Sequence, residues 1–240
     1  MSNSVIKNND KIIAEKSKNL LKRIPTKKNR KQVENALKFS IKMHHGQTRK
    51  SGLPFVSHCI DVANILIDWN MDHTSVISAL LHDVVEDTQV KLSDIEEEFG
   101  PDVAVLVDGV TKVENIAFRS KEHKQARNFT KLLLSLARDL RVIIIKFADR
   151  LNNMETIQYL SSNKRKEIAL ETKEIFVPLA HRLGMAKLKW KLEDLSLKCL
   201  DLRAFNSIKK KIETSTRLNE DILSNAIKPI KHELISYIIK

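Results

Sequence analysis

The sequence predicts an all-α fold, and three observations carry that expectation. Its 240 residues include only five glycines and five prolines, too few for a chain of many short strands and turns, while Leu, Ile, Lys and Glu abound. Apolar residues recur at helical spacing through most of the chain. The one strand-like run, Val142-Ile143-Ile144-Ile145, has no strand candidates near it to pair with.

The elements follow in order. "KIIAEKSKNLLKR" (11–23) carries apolar pairs at Ile12-Ile13 and Leu20-Leu21 and stops before Pro25, a short amphipathic helix. A second helix runs from about Arg30 to His45 and ends at Gly46. "GQTRKSGLPF" is a loop between Gly46 and Gly52 that presents Arg49 and Lys50. "VSHCIDVANILIDW" returns to helical period, with Ser57 as its expected cap.

After Met71-Asp72, one helix is expected to run to about Glu86, placing His82 over Glu86 and Asp83 over Asp87. "LSDIEEEFG" follows, with Ser93 as N-cap, Glu96 completing a capping box and Gly100 as the stop. A polar, basic stretch near 115–127 is expected as a mobile loop, and a helix over about 128–138 follows it. "RVIIIKFADRLNNMETI" is expected as buried helix. Residues 164–182 and 185–200 give two more helices broken near Gly184, and a lysine-rich helical tail closes the chain.

The formal net charge of +12 invites a nucleic-acid reading, so its location matters. Residues 1–31 hold ten Lys/Arg against Asp10 and Glu15, and 205–240 hold seven basic against four acidic residues, which leaves a net of only +1 for 32–204. The middle of the chain is nearly neutral. A solvated or disordered face is the expectation for the leader, and nucleic acid is not an expected partner.

Two cysteines, Cys59 and Cys199, in no CxxC arrangement, argue against a disulfide framework and point to a reducing, cytoplasmic setting. No apolar segment reaches the roughly 18–20 residues of a membrane span. No secretory leader is expected.

The chemistry is expected where "SALLHDVVEDT" (78–88) packs one histidine and three acids at the end of an apolar run. Carboxylates at i and i+4 repel, and a divalent cation would offset both that repulsion and the desolvation. His82 and Asp83 are candidate ligands, with His58 and Asp149 as further candidates on other segments. Two imidazoles and two carboxylates without thiolate favour six-coordinate Mn²⁺ and leave Fe²⁺, Co²⁺ and Mg²⁺ open, with zinc fitting less well. Glu86 and Asp87 are placed to handle protons or orient a water.

The segments "HHGQTRKSGLPFVSH", "LLHDVVEDT", "EEFGPDVAVLVDGVTKV", "RVIIIKFADRLNNM" and "ETKEIFVPLAHRLGM" resemble, in order, the hydrolase domain of the RelA/SpoT alarmone enzymes, a branch of the HD phosphohydrolase superfamily. The resemblance covers about residues 30–205. It implies an HD-domain helical bundle of about ten helices with a metal site in its core cleft. The implied activity removes pyrophosphate from the 3′ position of ppGpp or pppGpp, giving GDP or GTP, with Mn²⁺. By position, the implied metal ligands are His58, His82, Asp83 and Asp149, the acid pair is Glu86 and Asp87, and the substrate contacts are Arg49, Lys50, Ser51, Asn153 and Thr156.

The resemblance also divides the chain into a basic leader with a short helix (1–30), the hydrolase domain (31–204) and a helical extension (205–240) like the start of a connector to a synthetase domain. Nothing in the sequence resembles that synthetase, so a stand-alone hydrolase is expected. The chain departs from the family pattern at Asn152 and Glu155, where His and Arg are usual, at Cys59, where proline is usual, and at Arg127 and Thr130. Two other readings are a phosphohydrolase of another nucleotide or NADPH and a non-catalytic alarmone-binding module. Oligomeric state is left open.

Overall fold

A computed structural model describes residues 3–111, 130, 134 and 137–215. Among them there is no strand, only an isolated bridge between Thr48 and Pro54. The chain divides into two compact units, the first up to Ser161 and the second from Ser162 onward.

The first unit comprises α1 (Asn3–Lys22), α2 (Lys27–Met43), α3 (Val56–Asp68), α4 (His73–Leu81), α5 (Val84–Asp87), α6 (Leu92–Phe99), α7 (Pro101–Val110) and α8 (Arg141–Glu155). A single 3₁₀ turn, Ile157–Tyr159, follows α8. The short helix expected over 11–23 is twenty residues long. It packs on α3 through buried Leu20 and through ion pairs from Lys16 to Asp61 and from Arg23 to Asp68.

The centre is α4, whose residues Ser75 to Leu81 are all buried, because α2, α3, α7 and α8 surround it. Ser75, Ser78 and Ala79 keep the helix thin enough for four neighbours to approach. The Ser78 hydroxyl is satisfied by donating to the Thr74 carbonyl, 2.9 Å. Burial on all sides also explains α8. Val142, Ile143 and Ile145 have strand propensity, yet they line a fully buried helix face with Phe147 and Leu151.

Local chemistry corrects three expectations. Ser57 does not cap α3, which opens at Val56 out of the loop and makes no side-chain cap bond. Ser93 does not cap α6; the Asp94 carboxylate instead reaches back to the Lys91 amide, 2.9 Å. The helix expected to run unbroken to Glu86 ends at Leu81, and His82 and Asp83 form a turn before α5. The loop expected near 115–127 lies outside the described residues, as do most of the helix expected over 128–138 and the chain beyond 215.

The second unit contains α9 (Ser162–Glu171), a π-helical segment (Thr172–Phe176), α10 (Val177–Arg182) and α11 (Ala186–Leu200), with helix again over 202–215. Pro178 opens α10 and has no N–H for the preceding turn, which accounts for the local widening. Gly184 takes φ 71° at the break, a conformation glycine adopts without strain. Among the described residues no helix is long and apolar enough to cross a membrane.

Asp72 ties α4 to the start of α8. One carboxylate oxygen caps α4 by accepting from the Ser75 amide, 2.7 Å, and the other meets Arg141, 3.0 Å. Burial pushes the Asp72 carboxyl up, but the Ser75 amide and Arg141 outweigh it and hold it low. The hydrogen bonds from Arg141 also hold Asp139 low. The stabilisation is therefore present above the ordinary aspartate pKa of about 3.9 and is lost as pH falls through the lowered values. Asp72→Ala should cost about 1 kcal/mol in urea unfolding at neutral pH, and its difference from wild type should shrink steadily on acidification.

Candidate metal centre

Three separated helical segments supply the centre. His58 lies in the first turn of α3, His82 and Asp83 in the turn after α4, and Asp149 near the middle of α8. His58 Nε2 stands 3.3 Å from Asp149 Oδ1 and 3.7 Å from Asp83 Oδ2. His82 Nε2 stands 3.2 Å from Asp83 Oδ1 and 3.9 Å from Asp149 Oδ1. Donors about 2.1 Å from a shared cation stand about 3.0 Å apart when cis and about 4.2 Å when trans, so these separations suit a common ion.

The ring orientations point the same way. His58 Nδ1 donates to Asn152 Oδ1, 2.6 Å, and His82 Nδ1 donates to the Ala79 carbonyl, 2.7 Å. Each bond fixes the tautomer and leaves Nε2 as a lone pair facing the carboxylates. His82 Nε2 is buried and has no hydrogen-bond partner, which is costly for a packed histidine and natural for a ligand. His58, His82 and Asp149 offer ligand atoms within 4.8 Å of one another, a group that could hold a metal ion, and Cys59, His82 and Asp83 form a second such group.

The carboxylates are held ionised. Burial pushes Asp149 up, but the Lys146 ammonium, together with the neighbouring histidines, outweighs it and holds it well below the usual range. Lys146 Nζ lies 3.4 Å from Asp149 Oδ2. Asp83 is likewise pushed up by burial and pulled lower overall by His82 and His58. Cys59 also lies near His82 and Asp83, but burial pushes its thiol well up, with Asp83 adding to the shift. The well-placed donors are imidazole and carboxylate.

The predicted substrate residues meet this cluster through one chain of contacts. Residues 47–55 fold back on themselves, with the Arg49 amide bonded to Leu53 O and the Phe55 amide to Gln47 O; Gly52, at φ 84°, makes the turn. Arg49 Nη2 donates to Asn153 Oδ1, 2.7 Å, and Asn153 Nδ2 donates to Asp149 Oδ1, 2.6 Å. Arg49 also lies over the Phe55 ring at 5.8 Å. Lys50 is exposed and Ser51 half-buried on the same turn. Thr156 is the C-cap of α8, and its hydroxyl donates to Asn152 O, 2.9 Å, so it also has a structural role. Glu86 is half-buried and Asp87 exposed on α5, one turn beyond His82 and Asp83.

Asn152, expected only as a departure from the family pattern, is the buried acceptor that orients His58. Lys146 is a contributor that the sequence reading passed over, although its place three residues before Asp149 is a legible signal.

The family model described as the HD domain matches residues 36–186, more than half of the chain. The chain belongs to the HD-domain family. The chain is 42% identical over 191 residues to a Haemophilus influenzae protein named guanosine-3′,5′-bis(diphosphate) 3′-pyrophosphohydrolase, covering 80% of the chain and 28% of that relative. It is 46% identical over 170 residues to a Synechocystis protein named as a probable enzyme of the same kind, covering 71% and 22%. A Myxococcus xanthus relative at 40% identity over 205 residues, with coverage of 84% and 27%, is named GTP pyrophosphokinase. The HD-domain chain spans about a quarter of the length of the curated relatives it matches. A solved structure, described as a metazoan ortholog of SpoT that hydrolyses ppGpp, aligns with TM-score 0.53 and 28% identity, covering 72% of this chain and 95% of that one.

Replacing Asn152 by Leu, which keeps the volume and removes the acceptor, should weaken binding of Mn²⁺ or Mg²⁺ by about 10- to 100-fold in calorimetric titration. Asn152→Asp, which keeps an acceptor, should recover part of that loss.

Proposed function

We propose that this HD domain is a (p)ppGpp 3′-pyrophosphohydrolase that converts guanosine tetra- or pentaphosphate to GDP or GTP and pyrophosphate, with Mn²⁺ as its metal. One observation carries the reading. The basic loop and the metal cluster are joined by a continuous hydrogen-bonded path, Arg49–Asn153–Asp149, which sets a guanidinium at a fixed place beside a two-His, two-Asp centre. The names of the relatives point to the same reaction.

In this reading His58, His82, Asp83 and Asp149 hold the metal. A bound divalent cation supplies Lewis acidity to a water and to a phosphoryl oxygen. Mn²⁺ suits an N/O donor set without thiolate. Arg49 can stack on a base or grip phosphate with two parallel bonds, Lys50 provides a mobile point charge, and Ser51, Asn153 and Thr156 provide hydrogen-bonding groups around the nucleotide. Hydrolysis forms a bond from water oxygen to the phosphorus borne by O3′ and breaks the P–O3′ bond, so one proton leaves water and one reaches O3′. Glu86 and Asp87 are the carboxylates placed to take and deliver those protons.

The hydrolase domain runs over 31–204, a span that contains the family match at 36–186, with 1–30 as leader and 205–240 as extension.

Purified protein with Mn²⁺ should release pyrophosphate from ppGpp in preference to dNTPs or NADPH, and His82→Ala or Asp83→Ala should abolish release. Turnover of NADPH or dNTPs alone would move the assignment to another phosphohydrolase, and ppGpp binding without product would make the chain a binding module. Glu86→Gln and Asp87→Asn should lower kcat by about 10²- to 10⁴-fold while keeping the thermal stabilisation by Mn²⁺, about 2.7 kcal/mol at a hundredfold excess over Kd. Loss of that stabilisation would place the acid pair among the ligands.

A further inference from the structure

His44 closes α2 as its C-cap and is buried, although the mechanism above gives it no part. Its ring stacks on Phe55 with centroids 4.8 Å apart, and Phe55 in turn meets His58 edge-on at 6.3 Å. Nδ1 is 2.7 Å from Gln47 Oε1, and Gln47 Nε2 donates to the Asp87 carbonyl, 3.1 Å.

These contacts fix the proton. A backbone carbonyl only accepts, so the Gln47 amide must turn its NH₂ to Asp87 and its oxygen to His44. His44 Nδ1 is therefore the donor. Burial lowers the pKa of His44, opposed by the Gln47 bond and by Asp83, so the ring is neutral and Nε2 is a bare lone pair. That nitrogen is buried and has no partner, at a cost of about 1–3 kcal/mol. A residue kept for packing alone would be better as Leu.

We infer that His44 is a positioning residue for hydrolysis: through Gln47 it holds the Asp87 backbone and so sets where Glu86 and Asp87 stand against the metal cluster. The inference rests on the hydrolase reading. The backbone bonds that close the 47–55 loop do not use the Gln47 side chain, and a leucine in place of His44 keeps an apolar surface under Phe55, so loss of the relay bears on kcat more than on metal or substrate affinity. Small misplacements of catalytic groups have large kinetic effects, about 100-fold for 1 Å.

The test uses the full chain with Mn²⁺ and ppGpp. His44→Leu and Gln47→Leu should each lower kcat at least tenfold, with KM and the Mn²⁺-induced rise in Tm unchanged. The double variant should be no worse than His44→Leu alone, because both cut one relay. His44→Asn, whose amide N–H falls near the Nδ1 position, should recover part of the loss. Unchanged kcat, additive losses, or a lost Mn²⁺ response in His44→Leu would overturn the inference while wild type remains active. An inactive wild type would instead sink the hydrolase reading and this inference with it.

Discussion

Two imidazoles whose Nε2 atoms stand 3.2–3.9 Å from the oxygens of two carboxylates inside a helical core are the constraint on which the rest of the first unit depends. Buried carboxylates are costly unless charge and hydrogen bonds surround them. Here Lys146 and Asn153 bond Asp149, while Asn152 and the Ala79 carbonyl hold the two rings. A bound cation would complete the compensation. The helices are arranged accordingly, with α4 packed against both α3 and α8 so that its C-terminal turn meets His58 from one and Asp149 from the other.

The break between α4 and α5 follows from the same constraint. His82 and Asp83 themselves keep near-helical angles, so the turn redirects the chain after Asp83 more than it reorients those two side chains. It also starts a new short helix, so that Glu86 and Asp87 are presented beside the cluster without joining it. Only the backbone beyond the break then needs support, and Gln47 provides it at the Asp87 carbonyl.

The sequence was legible wherever one side chain announced its chemistry. His58, His82, Asp83 and Asp149 are candidate donors in the sequence, and in the structure each imidazole lies beside both carboxylates. The helical period carried α2, α3 and α8, even though the Val142–Ile145 run has strand propensity. The break at His82 was not legible, because His82 and Asp83 keep near-helical angles, φ −60° and −93°, and no glycine or proline marks it. Ser57 and Ser93 misled as caps because a serine beside a helix start is a common signal, and the actual geometry is set by the returning 47–55 loop and by Asp94. Asn152 read as a doubtful departure from a usual His, yet its oxygen is the acceptor His58 requires; only the fold shows which atom it faces. Glu155 is exposed on the last turn of α8, and nothing in the structure explains its replacement of Arg.

The central claim is that these four side chains form one metal centre. Anomalous diffraction from crystals grown with Mn²⁺ tests it most directly. The account predicts one strong peak within bonding distance of His58 Nε2, His82 Nε2 and the Asp83 and Asp149 carboxylates, with no sulfur in its coordination sphere. A peak bonded to Cys59 Sγ, or manganese bound only elsewhere on the molecule, would contradict it.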